Sequence, residues 1–188
     1  MSPQTKTKAL AKLAALQLGL GYPDRWTDYS ALRVVRGDAF GNLRRAEAFA
    51  YRREIARLGQ PVDPGAWDGL YPQNVGAILR ISPNAMQFAA GLLQPPFFDP
   101  AGDAAANYGS AGAGMAHEIG HSFDEVGNLY DAQGRLGGWW TAQDLARYRA
   151  AAAPLATQLD GCAHGQQVLG ESAADLAGLA VALDAYRL

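Results

Sequence analysis

Two histidines four residues apart, with a glutamate beside the first, are the residues of this sequence best suited to chemistry. His117, Glu118 and His121 form the pattern His-Glu-x-x-His. On an α-helix, residues four apart lie one above the other, so both imidazoles can point at one metal ion. The glutamate lies next to that pair, where its carboxylate can deprotonate a metal-held water. The pattern predicts a zinc site with Glu118 as general base; a helix with two solvated histidines is the alternative.

A catalytic zinc site takes three protein ligands and leaves one position for water or substrate. Glu171 is the only glutamate after Glu125, which makes it the candidate third ligand. Asp175 follows it by four residues, and Asp124 follows His121 by three, so each is expected on a helix face shared with a metal ligand. Both aspartates are candidates to orient a liganding imidazole through a hydrogen bond, and solvated helix surface is the alternative.

The composition excludes several classes of function. The net charge of −2 is not gathered into runs, which argues against nucleic acid or an anionic membrane as partner. Cys162 is the only cysteine, so an internal disulfide framework and a cysteine-rich zinc site are excluded. The chain shows neither an apolar run of about 20 residues, as a membrane span needs, nor a signal-peptide pattern in its first 12 residues. Its 188 residues suit one domain.

Helices must position most of these side chains. Apolar spacing and capping residues predict five of them: residues 5–18, ended by two glycines; a helix capped by Asp38; the helix with the histidines; a helix opened by Thr141; and a last helix with Glu171. The glycine-rich stretch 107–114 before the histidines is expected to let a neighbouring element approach closely. A phosphate-binding loop is the competing interpretation, but the Gly-Lys-Ser/Thr ending is missing.

A β-hairpin is predicted over residues 75–88, with its turn at residues 82–84. An extended peptide can add to an exposed strand edge through main-chain hydrogen bonds, so the hairpin is a candidate substrate-binding element. A hairpin that only covers the core is the alternative. The apolar loop that follows, residues 91–100, has three prolines and cannot be a helix or a central strand.

Taken together, these segments resemble the neprilysin-like zinc metallopeptidases. The resemblance covers nearly the whole chain and is most specific in four stretches: Gly-Tyr-Pro-Asp at 21–24, Ala-Gly-Leu-Leu-Gln-Pro-Pro-Phe-Phe-Asp-Pro at 90–100, His-Glu-Ile-Gly-His-Ser-Phe-Asp at 117–124 and Leu-Gly-Glu-Ser-Ala-Ala-Asp at 169–175.

The resemblance implies a mainly α fold with a small β-hairpin or sheet (α+β) around a thermolysin-like zincin core. It implies one Zn²⁺ per chain, with His117, His121 and Glu171 as ligands, Glu118 as base, and Asp124 and Asp175 as supporting carboxylates. Such enzymes cut short peptides on the amino side of apolar residues, outside the cytoplasm or at the cell surface. Residues 1–188 are therefore expected to form a single zinc metallopeptidase catalytic domain.

The sequence also departs from the family pattern. The strand that holds the substrate backbone usually carries Asn-Ala, whereas this chain has Gly76 and Ala77. The family's downstream histidine and arginine and its helical cap domain are missing from this sequence, which predicts either a fragment or a shortened relative with weak activity. Exposed apolar surface would then favour homo-oligomers. A zinc-stabilised module that binds peptides without cutting them is the alternative function.

Overall fold

A computed structural model describes residues 1–161 and 164–188, so Cys162 lies outside the described residues. The chain forms two compact units. One comprises Met1–Pro23 together with Pro64–Leu188, and the other comprises Asp24–Asp63. The first unit holds all the candidate site residues. The single catalytic domain over residues 1–188 stays a prediction.

The fold is mainly helical with a small sheet, which confirms the predicted class. The helices and strands are α1 (Pro3–Ala14), β1 (Gln17–Gly21), α2 (Ala39–Ala56), β2 (Ala77–Arg80), β3 (Ala85–Ala89), α3 (Ala104–Asn107), α4 (Ala113–His121), α5 (Ala142–Leu159) and α6 (Gly165–Tyr186). A π-helical turn, Tyr108–Gly112, joins α3 to α4, and a short 3₁₀ turn, Gly127–Leu129, follows α4.

Polar side chains cap the helices where the sequence predicts it. The Asp38 carboxylate accepts a hydrogen bond from the Gly41 amide at the start of α2, and the Thr141 hydroxyl accepts one from the Asp144 amide at the start of α5. Such caps satisfy backbone donors that the first helical turn leaves without partners. They explain why these two helices begin at residues 39 and 142.

A three-stranded sheet of order β1-β3-β2 lies beside α4. β2 and β3 are antiparallel and form the predicted hairpin, which leaves β2 at one edge. The predicted extension of the first helix to residue 18 is wrong, because α1 ends at Ala14 and Leu18 lies in β1, parallel to β3. A side chain in place of Gly19 would lie 3.1 Å from the Trp67 ring, so this glycine serves close packing rather than helix termination.

Small residues let α4 and α6 pack closely. A Cβ at Gly178 would lie 2.7 Å from the Ala113 carbonyl oxygen, and a Cβ at Gly120 would lie 3.4 Å from the Ala174 Cα. The close approach predicted for residues 107–114 does occur at Ala113, but the glycine that permits it belongs to α6. By contrast, a Cβ at Gly109 or Gly114 would meet nothing within 4 Å. Over the described parts of the chain, no helix combines the length and apolarity that crossing a bilayer requires.

Candidate metal site

The structure brings His117, His121 and Glu171 together, with one potential ligand atom from each lying within 4.8 Å of the others. The two Nε2 atoms are 3.0 Å apart. Oε2 of Glu171 is 3.3 Å from His117 Nε2 and 3.4 Å from His121 Nε2. The histidines lie on α4 and the glutamate on α6, so the group exists only because the two helices pack against each other.

Each histidine is hydrogen-bonded to a carboxylate through its other ring nitrogen. Nδ1 of His117 is 2.8 Å from Asp175, and Nδ1 of His121 is 2.8 Å from Asp124. A carboxylate accepts hydrogen bonds, so the proton of each neutral ring belongs on Nδ1. The lone pairs on both Nε2 atoms are then directed toward Glu171.

Asp124 reaches His121 from outside the helix, which corrects the expectation that it shares the helical face. α4 ends at His121, and Asp124 lies in the turn that follows. Its second carboxylate oxygen accepts hydrogen bonds from the backbone amides of Val126 and Gly127, each at 2.8 Å. The carboxylate is therefore fixed at both oxygens.

The two supporting carboxylates differ sharply in exposure. The Asp124 side chain is 11% exposed, whereas those of Asp175 and Glu171 are 72% and 70% exposed. Burial lowers the pKa of His121, but the hydrogen bond that its ring donates to Asp124 and the charge of Glu171 outweigh burial and raise the pKa above the usual value. The surroundings of His121 thus favour a positive charge at this point.

The residues fit a zinc ion. Ligand atoms about 2.0–2.1 Å from a tetrahedral zinc lie about 3.3 Å from one another, and the three distances here are 3.0, 3.3 and 3.4 Å. With the ring protons on Nδ1, the two Nε2 atoms and the Glu171 carboxylate oxygen face each other as acceptors, an arrangement that a cation would stabilise. Two histidines and one glutamate are also a donor set that catalytic zinc uses.

Glu118 lines two neighbouring cavities, and His117 and Ala77 also line both of them. One, of about 490 Å³, runs along Ala77, Ile78 and Leu79 of β2 toward Glu125. The other, of about 460 Å³, has a mostly apolar lining that includes Gly76, Leu92, Ala113 and Leu179. The structure therefore brings Gly76, Ala77 and Glu118 to the same space as the histidine pair.

Sequence reasoning missed Lys12, which reaches the turn after α4 from the first helix. It lies in the last turn of α1, and no local signal in the sequence distinguishes it from Lys6 or Lys8. His164, the third histidine, is exposed at the start of α6 and is not part of the group. Trp139 is buried.

Comparison with known proteins gives consistent matches. Residues 77–188 match the family described as peptidase family M13. The chain is 36% identical to a neutral endopeptidase of Lactobacillus helveticus over 98% of its own length and 30% of that protein. It is 33% identical to neprilysin-3 of Drosophila melanogaster, over 98% of its own length and 25% of that protein.

Among solved structures, the inhibitor complex of the Mycobacterium tuberculosis zinc metalloprotease Zmp1 superposes with a TM-score of 0.93 at 42% identity. That match covers 100% of this chain and 30% of the Zmp1 chain. The chain thus spans about a quarter to a third of the length of the proteins it matches.

Proposed function

Because the chain belongs to peptidase family M13, we propose that it carries the zinc site of an endopeptidase that hydrolyses short peptides. The observation that carries the proposal is the convergence of His117, His121 and Glu171, with Nδ1 of each histidine held by a carboxylate. One Zn²⁺ per chain would be bound by these three side chains, and Asp124 and Asp175 would orient the imidazoles.

When bound, zinc supplies a Lewis acid that polarises a carbonyl and makes water more acidic. Glu118 then acts as the general base: its carboxylate takes a proton from the attacking water and delivers it to the nitrogen of the leaving amine. Its position supports both steps, because it lines each of the two cavities that His117 also lines. Asp124 and Asp175 keep the Nδ1 protons in place throughout.

The edge of β2 is the proposed binding site for the substrate backbone. β3 pairs with only one side of β2, and the cavity along Ala77–Leu79 runs beside the strand. A peptide that pairs with this edge would be recognised through its main chain, whatever its sequence. The apolar cavity beside Gly76 and Ala113 offers space for an apolar side chain, in agreement with the preference that the family resemblance implies.

A second candidate function, a zinc-stabilised module that binds peptides without cutting them, is favoured by one observation. Glu171 is 70% exposed, so the site is open to water, and electrostatic stabilisation of a transition state is weaker in such a site. The same openness is the reason to expect slow cleavage by these 188 residues.

Replacement of Glu118 by glutamine separates the two functions. We expect Glu118→Gln to abolish cleavage of a peptide library while zinc remains bound, because the amide cannot accept the proton but no metal ligand is lost. Glu125→Gln is the matched control, since Glu125 lines the same cavity outside the metal group. Cleavage by Glu118→Gln at the wild-type rate would remove Glu118 from the mechanism; no cleavage by the zinc-loaded wild type would favour the binding module.

We also propose a location outside the cytoplasm, which the family resemblance implies. Self-association stays a prediction, and an exposed apolar stripe on α6 is consistent with it, formed by Leu176, Leu179 and Leu183.

A further inference from the structure

Lys12 is a buried lysine whose ammonium group binds the turn that follows α4, the helix of His117 and His121. Only 1% of the residue is exposed. Its Nζ donates hydrogen bonds to the backbone carbonyls of Ser122, Gly127 and Tyr130, at 2.8, 2.7 and 2.8 Å. All three donors of the ammonium group are thus used, and all three acceptors come from one nine-residue segment, residues 122–130.

Aromatic rings and acidic groups complete the surroundings of this ammonium. Nζ lies 5.9 Å from the centre of the Phe123 ring and 5.7 Å from the Trp139 ring, within the range of cation–π attraction. Burial lowers the pKa of Lys12 to about 8, and the charges of Asp124 and Asp131 act in the opposite direction. The lysine is therefore mostly protonated at pH 7 and able to donate all three bonds.

The three carbonyls flank the side chain that holds His121. Ser122 precedes Asp124, whereas Gly127 and Tyr130 follow it. Within this segment, the Asp124 carboxylate accepts from the Gly127 amide and from Nδ1 of His121. Lys12 therefore ties together both sides of the turn in which Asp124 is fixed.

The turn also packs tightly against the end of α4. A Cβ at Gly127 would lie 2.1 Å from the His121 carbonyl oxygen, so the segment returns directly onto the last residue of the helix. A shift of the Gly127 backbone would move both the amide that Asp124 accepts from and the contact with His121. Within residues 1–161 and 164–188, no other side chain donates a hydrogen bond to the Ser122 or Gly127 carbonyl.

We propose that Lys12 is a positioning residue for the metal site, acting on His121 through the turn and Asp124. This inference rests on the proposed function, because it concerns the same histidine. Without the ammonium group, the turn would lose three charged hydrogen bonds at once, and Asp124 would no longer be held at the distance that fixes the His121 tautomer. The effect should reach the metal without any contact between Lys12 and a ligand.

The competing explanation is that Lys12 only docks α1. Thr5 provides the matched control, because it is the other buried residue of α1. Its hydroxyl contacts the Ser2 hydroxyl and the Thr141 amide, at the opposite end of the helix from the turn. Thr5→Val should weaken the docking of α1 and leave the surroundings of Asp124 unchanged.

The test compares zinc affinity in Lys12→Met and Thr5→Val, measured by competition with a chromophoric chelator at a temperature where both remain folded. We expect both variants to melt at lower temperature than the wild type, but only Lys12→Met to bind zinc at least tenfold more weakly. Equal affinities in the two variants would overturn the proposal. If Lys12→Met does not fold, Lys12→Gln, which keeps two N–H donors, is measured in its place.

A double-mutant cycle identifies the route. If Lys12 acts through Asp124, Lys12→Met should reduce zinc affinity much less in an Asp124→Asn background than in the wild type. Additive losses would exclude that route.

Long-range ¹H–¹⁵N NMR of the metal-free protein provides a readout without zinc: the His121 ring should lose its preference for a proton on Nδ1 in Lys12→Met and keep it in Thr5→Val. Failure of the wild type to bind zinc would contradict the proposed function, and the NMR comparison would still decide the role of Lys12.

Discussion

At the scale of single residues, the two carboxylates that hold the histidines make the same bond in different surroundings. Both lie 2.8 Å from an Nδ1 atom. Asp124 is shielded and accepts two further backbone hydrogen bonds, whereas Asp175 is mostly exposed, so water competes for its bond. A hydrogen bond sheltered from water contributes more to orientation than one that water can replace.

We therefore expect Asp124→Asn to weaken zinc binding more than Asp175→Asn. Loss of a carboxylate behind a liganding histidine costs about 10–100-fold in metal affinity, and Asp124→Asn should lie toward the upper end of that range. Zinc titration by competition or calorimetry measures both. A larger loss from Asp175→Asn would show that exposure does not determine the strength of these bonds.

The residues that could be predicted from sequence are those with a fixed local spacing. His117 and His121 lie one turn apart, and the solitary position of Glu171 in the second half of the chain made it the available third ligand. Lys12 could not be found this way, because its partners are backbone carbonyls more than 100 residues away. Every residue has such a carbonyl, so the sequence does not mark these acceptors.

At the scale of elements, the metal group depends on how closely α4 and α6 pack. Glu171, Ala174, Asp175 and Gly178 repeat at intervals of three and four residues, so they share one face of α6. Gly178 lies against the backbone of Ala113 and His117, at 2.7 Å and 2.9 Å from an added Cβ. A side chain there would push the glutamate-bearing helix away from the histidines.

Gly178→Ala is accordingly expected to lower both folding stability and zinc affinity. Overpacking of this kind costs about 1–3 kcal/mol of unfolding free energy. Gly109→Ala is the control, because a Cβ there meets nothing within 4 Å and should be neutral or slightly stabilising. Denaturant unfolding and zinc titration of both variants are the measurements. Unchanged zinc affinity in Gly178→Ala would mean that the helices can separate without displacing Glu171.

A buried carboxylate joins the starts of α1 and α5. Asp144 is almost completely buried and accepts hydrogen bonds from the Ser2 amide, the Ser2 hydroxyl and the Thr141 hydroxyl. The hydrogen bond from Ser2 is the largest of the effects that hold the pKa of Asp144 well below its usual range. A depressed folded-state pKa stabilises the protein above the unfolded-state pKa, about 4, and this stabilisation is lost as the pH falls further.

Asp144→Asn should therefore destabilise the protein at pH 7, and the difference from the wild type should shrink as the pH falls below about 4. Unfolding free energies from denaturant titrations at pH 7, 4 and 3 test this. Asp184→Asn is a suitable control, since Asp184 is an exposed residue near the end of α6. A difference that stays constant from pH 7 to pH 3 would contradict the assignment.

Some helix boundaries follow from neighbouring residues in the sequence, and others depend on distant ones. Asp38 and Thr141 each cap the helix that directly follows them in sequence, so the starts of α2 and α5 were predictable. The end of α1 was not, because residues 17–21 become a strand only through pairing with β3, about 70 residues later in the chain. The position of Asp124 could not be predicted from spacing either, because α4 ends at His121 and Asp124 lies in the turn whose Ser122 carbonyl accepts a hydrogen bond from the distant Lys12.

At the scale of the whole molecule, a metal held by His117, His121 and Glu171 would link two helices whose ligands are about 50 residues apart in sequence. An ion that binds only the folded chain stabilises it by about 2.7 kcal/mol at 100 times its dissociation constant. For a chain of this size, that corresponds to a rise in melting temperature of roughly 5–10 °C.

Removal of zinc with a chelator should lower the melting temperature by this amount, and restored zinc should recover it. His117→Ala should melt at the same temperature with and without zinc, whereas His164→Ala should respond like the wild type, because His164 lies outside the group. Differential scanning calorimetry measures all three. A full zinc response in His117→Ala would place the ion elsewhere.

The shortness of β2 has a consequence for which peptides the protein can favour. The strand is four residues long, or about 13 Å. A peptide that paired along this edge, as we propose, would use all the main-chain donors and acceptors of the strand within a few residues on each side of the scissile bond. A longer peptide would then gain no further affinity from the strand. Selection between a short peptide and an unfolded protein with the same local sequence would therefore depend on steric access to the cavities beside β2.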